Sequence, residues 1–286
     1  MLISILLFYS IIYVECHDWT THPGAHLLIT TQVNGNKNLS CSGIILGSKY
    51  VLTAAHCLFN QSPCKKKGSD FNNNYNNFII SKHDIVVEYG GDCSTKKTSC
   101  VKNNKMKKVG VEKINIHKEY IESKCKEADL AIVELGEKVG NRGVILNTYI
   151  SSLPEKLIGF GYGENLNDCN KSYMYQEGYF KTIKCKHNPS KLPKGTFCTD
   201  EKYRNFCKGD SGAPLISQNR TLYGVVSSGT NCILLKKHWE KGNEELLKGN
   251  ISFKVAYFIN FICSIVQQDK ENPVKGCEKY KNVSKE

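Results

Sequence analysis

Three residues of this chain have the types and contexts needed to cleave an acyl bond: Ser211, His56 and Asp129. Ser211 lies in Lys208-Gly209-Asp210-Ser211-Gly212-Ala213-Pro214, between glycines that let the backbone turn sharply and a substrate come close. A serine hydroxyl is a weak nucleophile until a base takes its proton. A histidine stands near the end of Leu52-Thr53-Ala54-Ala55-His56-Cys57, and Asp129 heads the strand-like run Leu130-Ala131-Ile132-Val133-Glu134-Leu135. A carboxylate among apolar neighbours is costly unless paired. A histidine Nδ1–H suits it, because that bond presents Nε2 to the serine.

The order His, Asp, Ser in these contexts, TAAHC and GDSGAP above all, resembles the chymotrypsin-like (trypsin-family) serine peptidases over roughly residues 23 to 266. The resemblance implies an all-β fold of two six-stranded antiparallel β-barrels packed face to face, with a C-terminal α-helix. It implies a His56–Asp129–Ser211 triad, an oxyanion hole made by the backbone N–H groups of Gly209 and Ser211, and a secreted serine endopeptidase. It also implies the disulfides Cys41–Cys57, Cys185–Cys198 and Cys207–Cys232. His117, in a segment similar to the family's H-P-x-Y stretch, is then a family position and not a second base.

The same resemblance places Asn205, Phe206, Lys208, Ser227, Ser228 and Gly229 against substrate. Asn205 stands at the base of the S1 pocket, where trypsins carry aspartate. A neutral amide offers arginine or lysine no charge partner, so the expected pocket is neutral and non-tryptic. Phe206 is expected to narrow it, and Asn250 aligns with a pocket-wall glycine. Ser228 replaces a usual tryptophan, and Lys208 at the groove's edge suggests acidic substrates.

One departure bears on activity. In this family a new N-terminus of I-V-G-G type pairs with the aspartate before the nucleophile, here Asp210, and shapes the oxyanion hole. Only His17-Asp18-Trp19-Thr20-Thr21-His22-Pro23-Gly24 lies between the apolar start and the first predicted strand, with no such sequence. Either another N-terminus substitutes or the hole stays poorly formed. The alternative function is therefore a weakly active or inactive homologue that binds or decoys.

The elements that must position these residues are short strands. Residues 26 to 58 alternate and run apolar, with turn residues between, as in a β-barrel or sandwich. Residues 136 to 143 read as the crossing between barrels, and Lys254 to Val266 as a helix with Val255, Phe258, Ile259, Ile262 and Val266 on one stripe. Met1 to Val14 is apolar but short for a membrane span and reads as part of a signal peptide. The expected organisation is signal peptide 1–16, peptidase domain 17–268 and polar tail 269–286.

At 286 residues and 40% hydrophobic composition the chain can bury a sizeable core. Fourteen cysteines point to an oxidising compartment, and six N-x-S/T sequons, at Asn38, Asn60, Asn170, Asn219, Asn250 and Asn282, fit a secreted glycoprotein. Cys93 and Cys100 bracket a short loop and are expected to pair; no histidine in that loop favours a metal site instead. The net charge of +12 comes mainly from scattered lysine and reads as a solvated surface, with no nucleic-acid motif. No cofactor and no metal is implied. The expected partners are protein or peptide substrates and serine-protease inhibitors, for a monomer with no nucleic acid and no membrane span after signal removal.

Overall fold

The computed structural model describes residues 22–31, 37–65, 75–95, 97, 105–151, 153–165, 173–202, 204–243 and 247–278. The expected signal peptide and Cys100 lie outside the described residues. Strands β1 (Gly24–Thr31), β2 (Lys37–Leu46), β3 (Tyr50–Thr53), β4 (Ile85–Tyr89), β5 (Lys107–Ile116) and β6 (Ala131–Leu135) close a barrel in the order β1-β2-β3-β6-β5-β4. The alternation of β1 and β5 is what allows closure: Ala25, Leu27 and Ile29, with Val109 and Val111, face inward. Val51, Val87, Val133 and Leu135 complete that interior.

The second sheet contains β7 (Ile145–Leu146), β8 (Lys156–Gly161), β9 (Gln176–Ile183), β10 (Thr196–Thr199), β11 (Pro214–Ile216), β12 (Thr221–Ser228) and β13 (Asn250–Lys254). Strand β11 pairs with both β8 and β12, so six of these strands form a second antiparallel barrel. The seventh, β7, is added parallel to β12. Among the described residues the barrels are accompanied by the α-helices α1 (Lys118–Glu122), α2 (Cys232–Glu240) and α3 (Ile259–Val266).

The barrels meet through one apolar layer. Ile44, Leu52, Leu130 and Ile132 of the first half pack with Phe160, Val225 and Phe253 of the second and with Ile262 and Val266 of α3. The segment between β6 and β7 makes the crossing, and the Val139 amide donates to the Ser48 carbonyl at 2.8 Å on the way.

Two boundaries differ from the sequence reading. The helix begins at Ile259, not Lys254, because the backbone before it is still used by the sheet: Lys254 N donates to Gly195 O at 2.8 Å and Val255 N to Tyr223 O at 2.9 Å. The start of the expected polar tail is packed. Cys277 is bonded to Cys263 of α3, Val274 and Cys277 are buried, and Leu146 N donates to Lys275 O at 2.9 Å. Asp269 accepts from Ser48 Oγ at 2.7 Å, so residues 269–278 form a strap across the body.

All three disulfides implied by the resemblance are present, together with Cys64–Cys125 and Cys263–Cys277, which the sequence left unassigned. Cys93 is also disulfide-bonded. Among the described residues no helix is long and apolar enough to cross a membrane.

Candidate active site

The cleft between the barrels collects the three chemical residues from three loops. His56 lies in the single 3-10 turn Ala55–Cys57 directly after β3, and the Cys41–Cys57 disulfide clamps that turn to β2. Asp129 lies two residues before the start of β6. Its neighbour Ala128 has φ of +49°, a left-handed conformation that a β-carbon disfavours by roughly 1–2 kcal/mol. Complete burial of Ala128 and Leu130 holds this bend.

The bend aims Asp129 at His56. Asp129 Oδ2 accepts from His56 Nδ1 at 2.7 Å, and Oδ1 accepts from the His56 backbone amide at 2.8 Å. Ser227 Oγ donates to Oδ2 at 2.6 Å. The carboxylate thus fixes the imidazole tautomer and leaves Nε2 with a lone pair. Burial alone would depress the His56 pKa, but the charge and hydrogen bond of Asp129 outweigh it and hold the imidazole above its ordinary value. Burial works against the Asp129 anion too, yet His56 and the Ser227 hydroxyl hold its pKa below the usual carboxylate range.

Ser211 is half-buried at the floor of the cleft. Gly212 after it has φ of +84°, and a β-carbon there would lie 2.1 Å from Thr53 Oγ1 and 2.3 Å from Ser42 O. Only glycine lets this loop dock on the first barrel, where Ser42 N donates to Ser211 O at 2.8 Å. Among the described residues the amides of Gly209 and Ser211 donate to no protein group, which leaves both for an oxyanion.

Two contacts orient the loop. The Lys208 carbonyl accepts from Glu164 N at 2.8 Å, turning the Gly209 N–H of the same trans peptide the opposite way. The Gly209 carbonyl accepts from Ser42 Oγ at 2.9 Å, and Ser42 Oγ accepts from Tyr162 N at 3.0 Å. Ser42 was not singled out in the sequence, since one serine after a cysteine carries no signal of its own.

Asp210 points away from the cleft. Its two oxygens accept from Gly163 N and Cys207 N, each at 2.9 Å. Among the described residues no cation pairs with it. Burial pushes its carboxyl up to about 6, against the pull of those two amide bonds. A cavity of about 330 Å³ adjoins it, lined in part by Gly161, Asn205, Phe206 and Trp239.

Asn205 and Gly229, expected at the specificity pocket, are held on neighbouring segments. Asn205 Nδ2 donates to Thr230 O at 3.2 Å. Phe206 is buried and stacks on Phe180 with ring centroids 4.2 Å apart, so it faces the barrel interior and does not narrow the pocket from within. The narrowing comes from Asn250, which is completely buried. Its Oδ1 would lie 2.2 Å from a β-carbon on Gly229, so the carboxamide fills the space in front of that glycine. Buried Glu201, which sequence reasoning missed, pins both walls by accepting from Thr230 N at 2.7 Å and Gly249 N at 3.1 Å. Ser228 is exposed, and Lys208 is exposed but pairs with Glu164 at 3.4 Å, which weakens the case for acidic substrates.

A larger groove of about 700 Å³ opens on the other side of Ser211, between Leu39, Ser40, Phe59, Phe78 and Ile79.

The Trypsin family model matches residues 20–237. The chain belongs to the trypsin family. Similar proteins include phenoloxidase-activating factor 3 of Holotrichia diomphalia, 27% identical over 76% of this chain and 64% of that one. Serine protease 7 of Drosophila melanogaster is 27% identical over 69% of this chain and 53% of that protein. The chain therefore spans somewhat under two thirds of the length of these relatives. Among solved structures, a scabies mite inactivated protease paralogue superposes with a TM-score of 0.59 at 20% identity, over 86% of this chain and 94% of that one. Mouse neuropsin does so at 0.59 and 22%, over 87% and 96%. At these identities the structural likeness shows a shared fold.

Proposed function

We propose that this trypsin-family chain is a secreted serine endopeptidase that cleaves after small, uncharged residues. The observation that carries the reading is the Asp129–His56 pair braced by Ser227 beside a loop whose Gly209 and Ser211 amides are available. His56 takes the proton from Ser211 as its oxygen attacks the peptide carbonyl, then gives it to the leaving amine. Asp129 keeps the imidazole oriented and offsets its positive charge. The two amides receive the developing oxyanion, where each well-aimed donor is worth ~3 kcal/mol. Filling of the S1 space by Asn250 leaves room for little beyond a methyl-sized side chain, and the groove lined by Phe78 and Ile79 accommodates the leaving-group side. The disulfides and apolar N-terminus support an oxidising, extracellular setting.

Digestion of a peptide library by the purified chain tests this. Cleavage after glycine, alanine or serine, lost in Ser211→Ala, is expected; cleavage after arginine or lysine would overturn the pocket reading.

Asp210 gives the alternative its footing. A buried carboxylate with no cation partner among the described residues resembles an unactivated state, and the scabies mite neighbour is an inactivated protease paralogue. Absence of turnover by natively folded protein, including after N-terminal processing, would favour a binding role.

A further inference from the structure

A second hydroxyl–imidazole–carboxylate series stands in the first barrel. His26 on β1 and Glu88 on β4 are register partners and both are fully buried. Ser40 on β2 lies diagonally across from His26, on the same face of the sheet. His26 Nδ1 lies 3.0 Å from Glu88 Oε2, and His26 Nε2 lies 2.5 Å from Ser40 Oγ.

The protonation pattern follows from Glu88. Its carboxylate also accepts from Ser94 Oγ at 2.7 Å and Thr95 N at 3.0 Å. Burial disfavours its anion, but His26, Thr95 and Ser94 more than compensate and hold the carboxyl down at about 2. An ionised Glu88 takes the Nδ1–H of His26, so Nε2 accepts and the Ser40 hydroxyl donates. The imidazole cannot swing away, because it stacks on Tyr162 with ring centroids 5.4 Å apart.

Among the described residues access comes through Ser40. His26 and Glu88 are sealed in the barrel, whereas Ser40 is half-buried and lines the 700 Å³ groove that also holds His56, Gly209 and Ser211. Ser40 Oγ would lie 3.6 Å from a β-carbon on Gly209, so it faces the loop that carries Ser211.

We propose that Ser40 is a second nucleophilic serine, with His26 as its base and Glu88 as the orienting carboxylate, reactive toward acyl or phosphonyl electrophiles that enter this groove. In the step, the Ser40 Oγ–H proton passes to His26 Nε2 as Oγ forms a bond to carbonyl carbon or phosphorus. The bond to the leaving group breaks with its electron pair, and His26 then returns the proton to the leaving group or to water. The product is a Ser40 ester. This assignment is independent of the role given to Ser211.

The test is labelling of the Ser211→Ala chain with a fluorophosphonate, which loses fluoride on reaction, followed by peptide mass spectrometry. Thermal melting first establishes a native fold. The expected result is an adduct on Ser40 forming ~100-fold faster than on any other serine, the scale of general-base assistance. It disappears in Ser40→Ala/Ser211→Ala and slows at least about tenfold in Glu88→Gln/Ser211→Ala. No Ser40 adduct on folded Ser211→Ala protein overturns the proposal, as does an undiminished rate in the Glu88→Gln variant. Labelling of the Ser40→Ala chain in parallel separates the two readings: an adduct at Ser211 there with none at Ser40 of the Ser211→Ala chain sinks only this inference, and an adduct at Ser40 of the Ser211→Ala chain with none at Ser211 of the Ser40→Ala chain sinks only the proposed peptidase.

Discussion

Asp129 accepts from three donors at once, and substitution tests the carboxylate and the Ser227 hydroxyl separately. Asp129→Asn preserves the shape but presents the wrong tautomer to Ser211, and a loss in kcat on the order of 10⁴-fold is expected in steady-state assays. Ser227→Ala leaves the His56 bonds in place and should cost about tenfold or less. Because His56 titrates above its ordinary 6.5, the acidic limb of kcat/KM should fall at a pH above 6.5. Ser42→Ala removes the bond that holds the Gly209 carbonyl; kcat should drop up to ~100-fold with KM little changed, as expected for an interaction realised in the transition state. Asp210 carries a different signature. Its folded pKa of about 6 exceeds the ordinary 3.8, so its contribution to stability is full below pH 3.8 and is lost as pH rises through 6. Asp210→Asn should flatten the fall in unfolding free energy between those values by roughly 2–4 kcal/mol, read from urea titrations at each pH.

At the scale of elements, the filled space in front of Gly229 rests on the register of β13 against β12 and β10. Thr199 faces Asn250 and Ser228 faces Ile251, which puts the Asn250 side chain between the pocket walls. Asn250→Gly should reopen that space and raise kcat/KM for peptides with phenylalanine before the cleaved bond by at least about tenfold, since each added buried methylene is worth roughly 1 kcal/mol. An unchanged preference would mean that another group closes the pocket. The sequence made His56 and the Ser211 loop legible because TAAHC and GDSGAP carry both residue type and local backbone. It placed Asn250 opposite a family glycine without revealing a filled pocket, because that depends on a rotamer held by the Asp200 carbonyl, which accepts from Asn250 Nδ2 at 3.3 Å. Phe206 misled for the same reason: a large residue beside the pocket base packs into the barrel interior on Phe180. Ser40, His26 and Glu88 stayed silent because they come from three strands and share no local motif.

For the whole molecule, the two barrels were readable from short alternating runs, while the closure of the chain's end was not. Residues 269–278 are polar enough to suggest a tail, yet Val274 and Cys277 enter the layer between α3 and β7. Opening the Cys263–Cys277 bridge releases a loop of 14 residues, and Cys263→Ala/Cys277→Ala should lose about 3 kcal/mol in denaturant unfolding. An unaltered midpoint would mean that the strap holds by packing alone.

For the secreted glycoprotein proposed above, burial of Asn250 would set an order of events during synthesis. This residue begins a sequon, Asn250-Ile251-Ser252, yet in the finished barrel its side chain is wholly enclosed. A sugar transferred there while the chain is still extended would leave β13 unable to take its place between β10 and β12. Maturation then becomes a race between strand pairing and glycan transfer. Molecules that lose it would be held back as misfolded, while those that win would leave the cell bare at Asn250 whatever they carry at the more accessible Asn60 and Asn219.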